Sequence, residues 1–134
     1  MILVDTSVWI AVFRDKEGGT VRRFRERVGE EICVLTRFTQ LELLQGARDE
    51  KEWKSLEEYL ATQYYLEASE ETWRNAARIY FDLRRRGVTV GSPIDCCVAR
   101  IAMEYGALLL HRDQGFARIA QRFPLKAEYF PHRG

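Results

Sequence analysis

Two unbroken apolar runs of strand length, Ile2-Leu3-Val4 at the start and Ala107-Leu108-Leu109-Leu110 near the end, are each followed within three residues by an aspartate and then by a helical pattern. Apolar residues without polar alternation mark a strand covered on both faces, and such strands belong to parallel sheets. Parallel neighbours need a long crossover between them, usually a helix, and the intervening sequence supplies several. Val8, Trp9, Val12 and Phe13 recur at helical spacing across residues 6–16, and a basic amphipathic stretch over 20–28 follows Gly18-Gly19. A second β-favouring stretch at 31–35 leads into a helix over 36–47, carried by Phe38, Leu41, Leu43 and Leu44 and closed near Gly46, and a charged helix follows over 49–61. Residues 64–66 read as a short strand, and Ser69 caps a long helix reaching residue 86, with Gly87 at its stop. Ser92-Pro93 opens another helix to residue 105, because serine caps and proline loses nothing at the first helical position. A helix over 113–122 and a last strand over 125–129 complete the pattern. The fold class is therefore α/β, a three-layer α/β/α sandwich around a central, mainly parallel sheet.

At 134 residues, 46% of them hydrophobic, the chain can bury one sizeable core, and residues 1–134 read as a single domain. No apolar run approaches the ~20 residues of a membrane helix, and Asp5 interrupts the start too soon for a signal peptide. A soluble, cytoplasmic protein with no membrane partner is expected. Cys33, Cys96 and Cys97 lack the spacing of a disulfide framework and read as packing residues in a reducing compartment, and two histidines cannot build an imidazole cluster. A net charge of +1 gives no global attraction to nucleic acid, so such binding must rest on local basic patches.

Most of the 20 acidic residues sit in charged stretches such as Asp49-Glu50-Lys51-Glu52 and read as solvated surface. Asp5, Glu42, Asp95 and Asp113 differ, because each falls in apolar surroundings or at an element junction, where an unpaired charge is costly to desolvate. Each also has a local reading. Asp5 and Asp113 stand where they would cap the helices that follow, and Asp95 lies at capping-box spacing from Ser92. Glu42 has that spacing from Thr39, but its helix opens earlier, at Thr36. Taken together the four suggest more. Ligands gather at the carboxyl ends of parallel strands, where Asp5 and Asp113 both fall, and the two helices can bring Asp95 and Glu42 to the same pocket. Two carboxylates about 5 Å apart repel by roughly 3 kcal/mol at an effective dielectric of about 20, so four gathered anions imply cations among them. An all-oxygen set suits Mg²⁺ or Mn²⁺, and such ions activate water and neutralise a leaving oxygen in phosphodiester hydrolysis.

LVDTSVWI at 3–10, TQLELLQGAR at 39–48, GSPIDCCVARIA at 91–102 and ALLLHRDQGFARIA at 107–120 carry a family resemblance. In order and spacing they resemble the PIN-domain ribonucleases, in particular the VapC toxins of toxin–antitoxin pairs, over nearly the full length. The resemblance implies a PIN-like sandwich and a metal-dependent endoribonuclease that hydrolyses RNA phosphodiesters. It implies Asp5 as the first metal ligand, Glu42 as the second acid, Asp95 as the third and Asp113 as the fourth. Asp5 and Asp95 would hold the principal Mg²⁺ or Mn²⁺ ion, with Asp113 bound directly or through water. Glu42 would orient water or help a second ion, and Ser7 would assist by a hydrogen bond. Many relatives carry a further acid two positions after the fourth; here that position is Gly115, which leaves one or two ions open. The implied partners are RNA, often tRNA, a small VapB-like antitoxin laid across a groove of the toxin, and a second copy in a homodimer.

Arg22, Arg23, Arg25 and Arg27 form a basic cluster suited to RNA phosphates, and Arg84-Arg85-Arg86 a second, which also complements a helix dipole. His111 and Arg112 precede Asp113 and read as strand-end residues within reach of a scissile phosphate. Trp9, Trp53 and Trp73 fall on amphipathic helices and read as core, with the antitoxin or dimer surface as the other place for them. The competing functions are a non-catalytic PIN-fold binding module, to which Gly115 points, and a metal nuclease acting on DNA. A phospho-accepting receiver domain would need a paired acid at the first strand end and a separately placed lysine, and neither is evident.

Overall fold

The computed structural model describes residues 1–131. Five strands, β1 (Ile2–Val4), β2 (Cys33–Leu35), β3 (Tyr64–Tyr65), β4 (Leu108–His111) and β5 (Ala127–Tyr129), form one sheet in the order β3-β2-β1-β4-β5. Every neighbouring pair runs parallel, with Leu3 opposite Val34 on one side and Leu109 on the other. The helices are α1 (Thr6–Phe13), α2 (Gly19–Val28), α3 (Arg37–Gln45), α4 (Glu50–Ala61), α5 (Glu70–Arg85), α6 (Pro93–Tyr105) and α7 (Gln114–Ala120).

The two outer layers follow from the two-residue period of the strands. Leu3, Val34 and Leu109 point to one face, where they pack with Leu83 of α5, Ile101 of α6 and Phe116 of α7. Ile2, Val4, Leu35 and Leu110 point to the other, against Trp9 of α1, Leu43 of α3 and Leu60 of α4. Burying both faces is what makes these strands apolar throughout, and it gives the expected α/β/α sandwich.

Chain order sets where a ligand can sit. From β1 the sheet grows to β2 and β3 on one side, and β4 and β5 then build the other. The direction of winding reverses at the β1/β4 boundary, and the crevice beyond the carboxyl ends of those two strands is the place such sheets leave for a ligand. Asp5 and Asp113 flank that crevice.

Several elements are shorter than the sequence pattern suggests. The first helix stops at Phe13 rather than residue 16, because the Asp15 carboxylate accepts the N–H groups of Glu17, Gly18 and Val21 at 3.1, 3.0 and 2.9 Å. Those bonds hold the chain in a turn that passes through Gly18 at φ 89, a conformation natural to glycine. The tryptophans also divide. Trp9 is buried in the core, whereas Trp53 and Trp73 are exposed, so the first takes the packing role and the other two lie at the surface.

Candidate active site

Asp5 follows β1 directly and caps α1. Its Oδ2 accepts the Ser7 N–H at 3.1 Å and the Ser7 hydroxyl at 2.6 Å. That hydroxyl oxygen accepts the Arg112 N–H at 3.0 Å, and the Asp5 N–H donates to the Leu110 carbonyl at 2.9 Å. The ends of the two central strands are thereby tied together through Ser7.

Asp113 caps α7, its Oδ1 accepting the Gly115 N–H at 2.8 Å, while its own N–H donates to His111 Nδ1 at 3.2 Å. Asp95 lies in the first turn of α6. Ser92 caps that helix by accepting the Ile94 N–H, and Asp95 donates its N–H to the Ser92 carbonyl. Its carboxylate faces α7: a β-carbon built on Gly115 would lie 3.2 Å from Asp113 Oδ1 and 3.8 Å from Asp95 Oδ2. Two acids from two elements thus converge on the space beside Gly115.

Glu42 projects from the middle of α3, where its Oε1 accepts the Thr6 hydroxyl at 3.1 Å. Thr6 shares a second hydrogen bond, 2.9 Å, with Thr39, and both threonines are buried. This polar tether was not legible as a site feature. Its trace in the sequence is Thr6 standing in an otherwise apolar helix face and Thr39 one turn before Glu42.

Asp5 and Asp113 stand at element junctions, as the sequence leads one to expect, while burial differs among the four acids. Asp5 and Asp95 are half-buried, whereas Glu42 and Asp113 are exposed. All four nevertheless share one field, because burial first, and then the charges of Asp113, Asp5 and Glu42, push the Asp95 carboxyl up to about 7. Burial lowers the basicity of His111, against the pull of Asp5 and Asp113. The donor chemistry fits a hard divalent cation, since the charges acting on Asp95 all come from carboxylates. The side chains stand apart rather than clasped, and among the described residues no three His, Cys, Asp or Glu groups meet the spacing of a formed metal site. Mutual repulsion favours that spread arrangement.

Glu42 also lies on the wall of a groove of about 880 Å³ between α1, α3 and α4, lined by Ile10, Phe13 and Leu56 with Arg14 and Lys16 at its edge. The expected basic clusters are only partly available for a ligand. Arg27 forms a two-pronged pair with Glu128, one bond at 2.9 Å, and also faces Glu31, whereas Arg22, Arg23 and Arg25 are exposed on α2. Arg84 and Arg85 gather around the Phe81 ring. No helix among the described residues is long and apolar enough to cross a membrane.

Comparison with known proteins agrees with this fold. The PIN domain family profile matches residues 2–122. A VapC ribonuclease of Mycobacterium bovis and ribonuclease VapC11 of Mycobacterium tuberculosis are each 35% identical over 133 residues, spanning 97% of this chain and 99% of theirs. Ribonuclease VapC51 of Mycobacterium tuberculosis is 33% identical over 119 residues, 88% of this chain and 84% of its own. Among solved structures, VapBC-1 from nontypeable Haemophilus influenzae superposes with a TM-score of 0.81 at 21% identity, covering 98% of this chain and 100% of that one. VapBC from Salmonella typhimurium, bound to DNA, gives 0.75 at 21% identity over 96% of each chain. Sheet order, carboxylates at the β1/β4 crevice and near full-length similarity lead to one conclusion: the chain belongs to the PIN-domain family.

Proposed function

We propose that this protein is the ribonuclease toxin of a type II toxin–antitoxin pair, an endoribonuclease that hydrolyses RNA phosphodiesters with a divalent metal, Mg²⁺ or Mn²⁺, at Asp5, Glu42, Asp95 and Asp113. The observation that carries the reading is the raised Asp95 carboxyl, on which acids from three other parts of the chain act at once. Full-length similarity to proteins named as VapC ribonucleases supports RNA as the substrate.

Asp5, Asp95 and Asp113 would hold the cation, which supplies an activated water and neutralises the leaving oxygen. The protein's own part is to fix those acids and the water. Ser7 locks Asp5 to the β4 end. Thr6 holds one oxygen of Glu42, so that the other can accept a proton from water and orient its lone pair toward phosphorus. Exposed Arg22, Arg23 and Arg25 on α2 are suited to the flanking phosphates. The fold it shares with VapBC toxins supports a VapB-like antitoxin as partner, and a homodimer is the expected assembly.

Antitoxin-free protein should cleave RNA in Mg²⁺ or Mn²⁺ and leave DNA of the same sequence intact, and Asp5→Asn should lower the rate at least about 100-fold. Equal cutting of both nucleic acids would move the reading to a DNA nuclease. Gly115 and the spread arrangement of the acids favour one rival, a catalytically weak PIN-fold binding module. Unchanged RNA in either metal, with antitoxin absent, would select it.

A further inference from the structure

We propose that His111 is a positioning residue of the acid cluster: its Nδ1 accepts the Asp113 N–H and so sets the direction in which the Asp113 carboxylate enters the crevice. The inference rests on the reading of Asp113 as a cation-facing acid. His111 ends β4 with its side chain 2% exposed, the ring 5.2 Å from Phe116 and edge-on to Tyr129 at 5.8 Å. A leucine or phenylalanine would fill such a site without burying polar nitrogens. What histidine adds is an acceptor, 3.2 Å from the Asp113 N–H.

An acceptor nitrogen carries no proton, so the neutral ring bears its proton on Nε2. The backbone beneath it is fixed as well, since the His111 carbonyl accepts the Phe130 N–H at 2.7 Å. Two consecutive amides of the β4–α7 turn are therefore held by side chains, Arg112 by Ser7 and Asp113 by His111. Ser7 also holds Asp5, and Asp113 next receives the Gly115 N–H. His111 thus sets the Asp113 half of the crevice as Ser7 sets the Asp5 half. Partners behind metal-facing acids affect affinity as well as activity.

Calorimetric titration of antitoxin-free protein with Mn²⁺ tests this, using His111→Leu, His111→Asn and Asp113→Asn beside the parent. His111→Leu should weaken Mn²⁺ binding by about 10-fold. His111→Asn should restore it, because an asparagine oxygen can accept the N–H two residues on. Nitrogen-15 spectra of the unsubstituted, metal-free protein should show the Nε2–H tautomer, a readout that needs no variant to fold. Parent-like affinity in His111→Leu, or a proton on Nδ1, overturns the proposal. Parent-like affinity in Asp113→Asn, or no binding by the parent, instead removes the reading on which it rests.

Discussion

Asp95 bears a desolvation and electrostatic cost whose consequences are measurable without any substrate. Its carboxyl titrates near 7 when folded, against about 4 in an unfolded chain. Above pH 7 it is ionised in both states and the folded state carries the full penalty; below about pH 4 it is protonated in both and the penalty is gone. The metal-free protein should therefore gain stability as pH falls from 8 toward 5, within the limits set by its other carboxylates. The side chain is only half-buried, so solvent screening reduces the penalty to about 1–2 kcal/mol. Asp95→Asn should melt a few degrees above the parent at pH 8 and converge with it near pH 4, as read by scanning calorimetry. A lower melting point for the variant at pH 8 would contradict this electrostatic account. Ser7→Ala removes the bridge between Asp5 and the Arg112 N–H. It should cost about 1–2 kcal/mol of stability for the amide left unpaired and slow RNA cleavage by about 10–100-fold, a split that chemical denaturation and single-turnover kinetics resolve separately.

Helix N-termini place Asp5, Asp95 and Asp113, and α7 shows how little room they leave. Gly115 donates to Asp113 Oδ1, and a β-carbon there would lie 3.2 Å from that same oxygen. Gly115→Ala favours the helix by up to about 1 kcal/mol through propensity, yet it must displace Asp113. The variant should therefore keep near-parent stability while cleavage falls about 10-fold, a loss of the size expected when an outer support moves; unchanged cleavage would show that Asp113 tolerates the shift. The elements themselves were legible because the strands announce burial on both faces and Ser92-Pro93 and Gly87 punctuate the helices. Asp5 and Asp113 could be placed at one sheet edge for the same reason. The Thr6–Glu42 tether could not, because it joins helices whose mutual orientation is set by packing against the sheet. The apolar pattern runs past the end of α1 because Asp15 competes for backbone N–H groups that its apolar neighbours do not reveal.

Across the whole molecule, the winding reversal at β1/β4 sets Asp5 and Asp113 at one crevice, where they and Glu42 act on Asp95, and a groove opens beside it between α1, α3 and α4. The net charge of +1 leaves this local negative field to act alone. A cation bound there should stabilise the native state by about 2.7 kcal/mol at a hundred times its dissociation constant. Melting at pH 8 with and without Mn²⁺, for the parent and for Asp95→Asn, tests the central claim most directly. The account predicts a rise of several degrees on adding Mn²⁺ to the parent and little rise in the variant, which is already relieved of the repulsion. Equal rises in both proteins, or none in the parent, would contradict it.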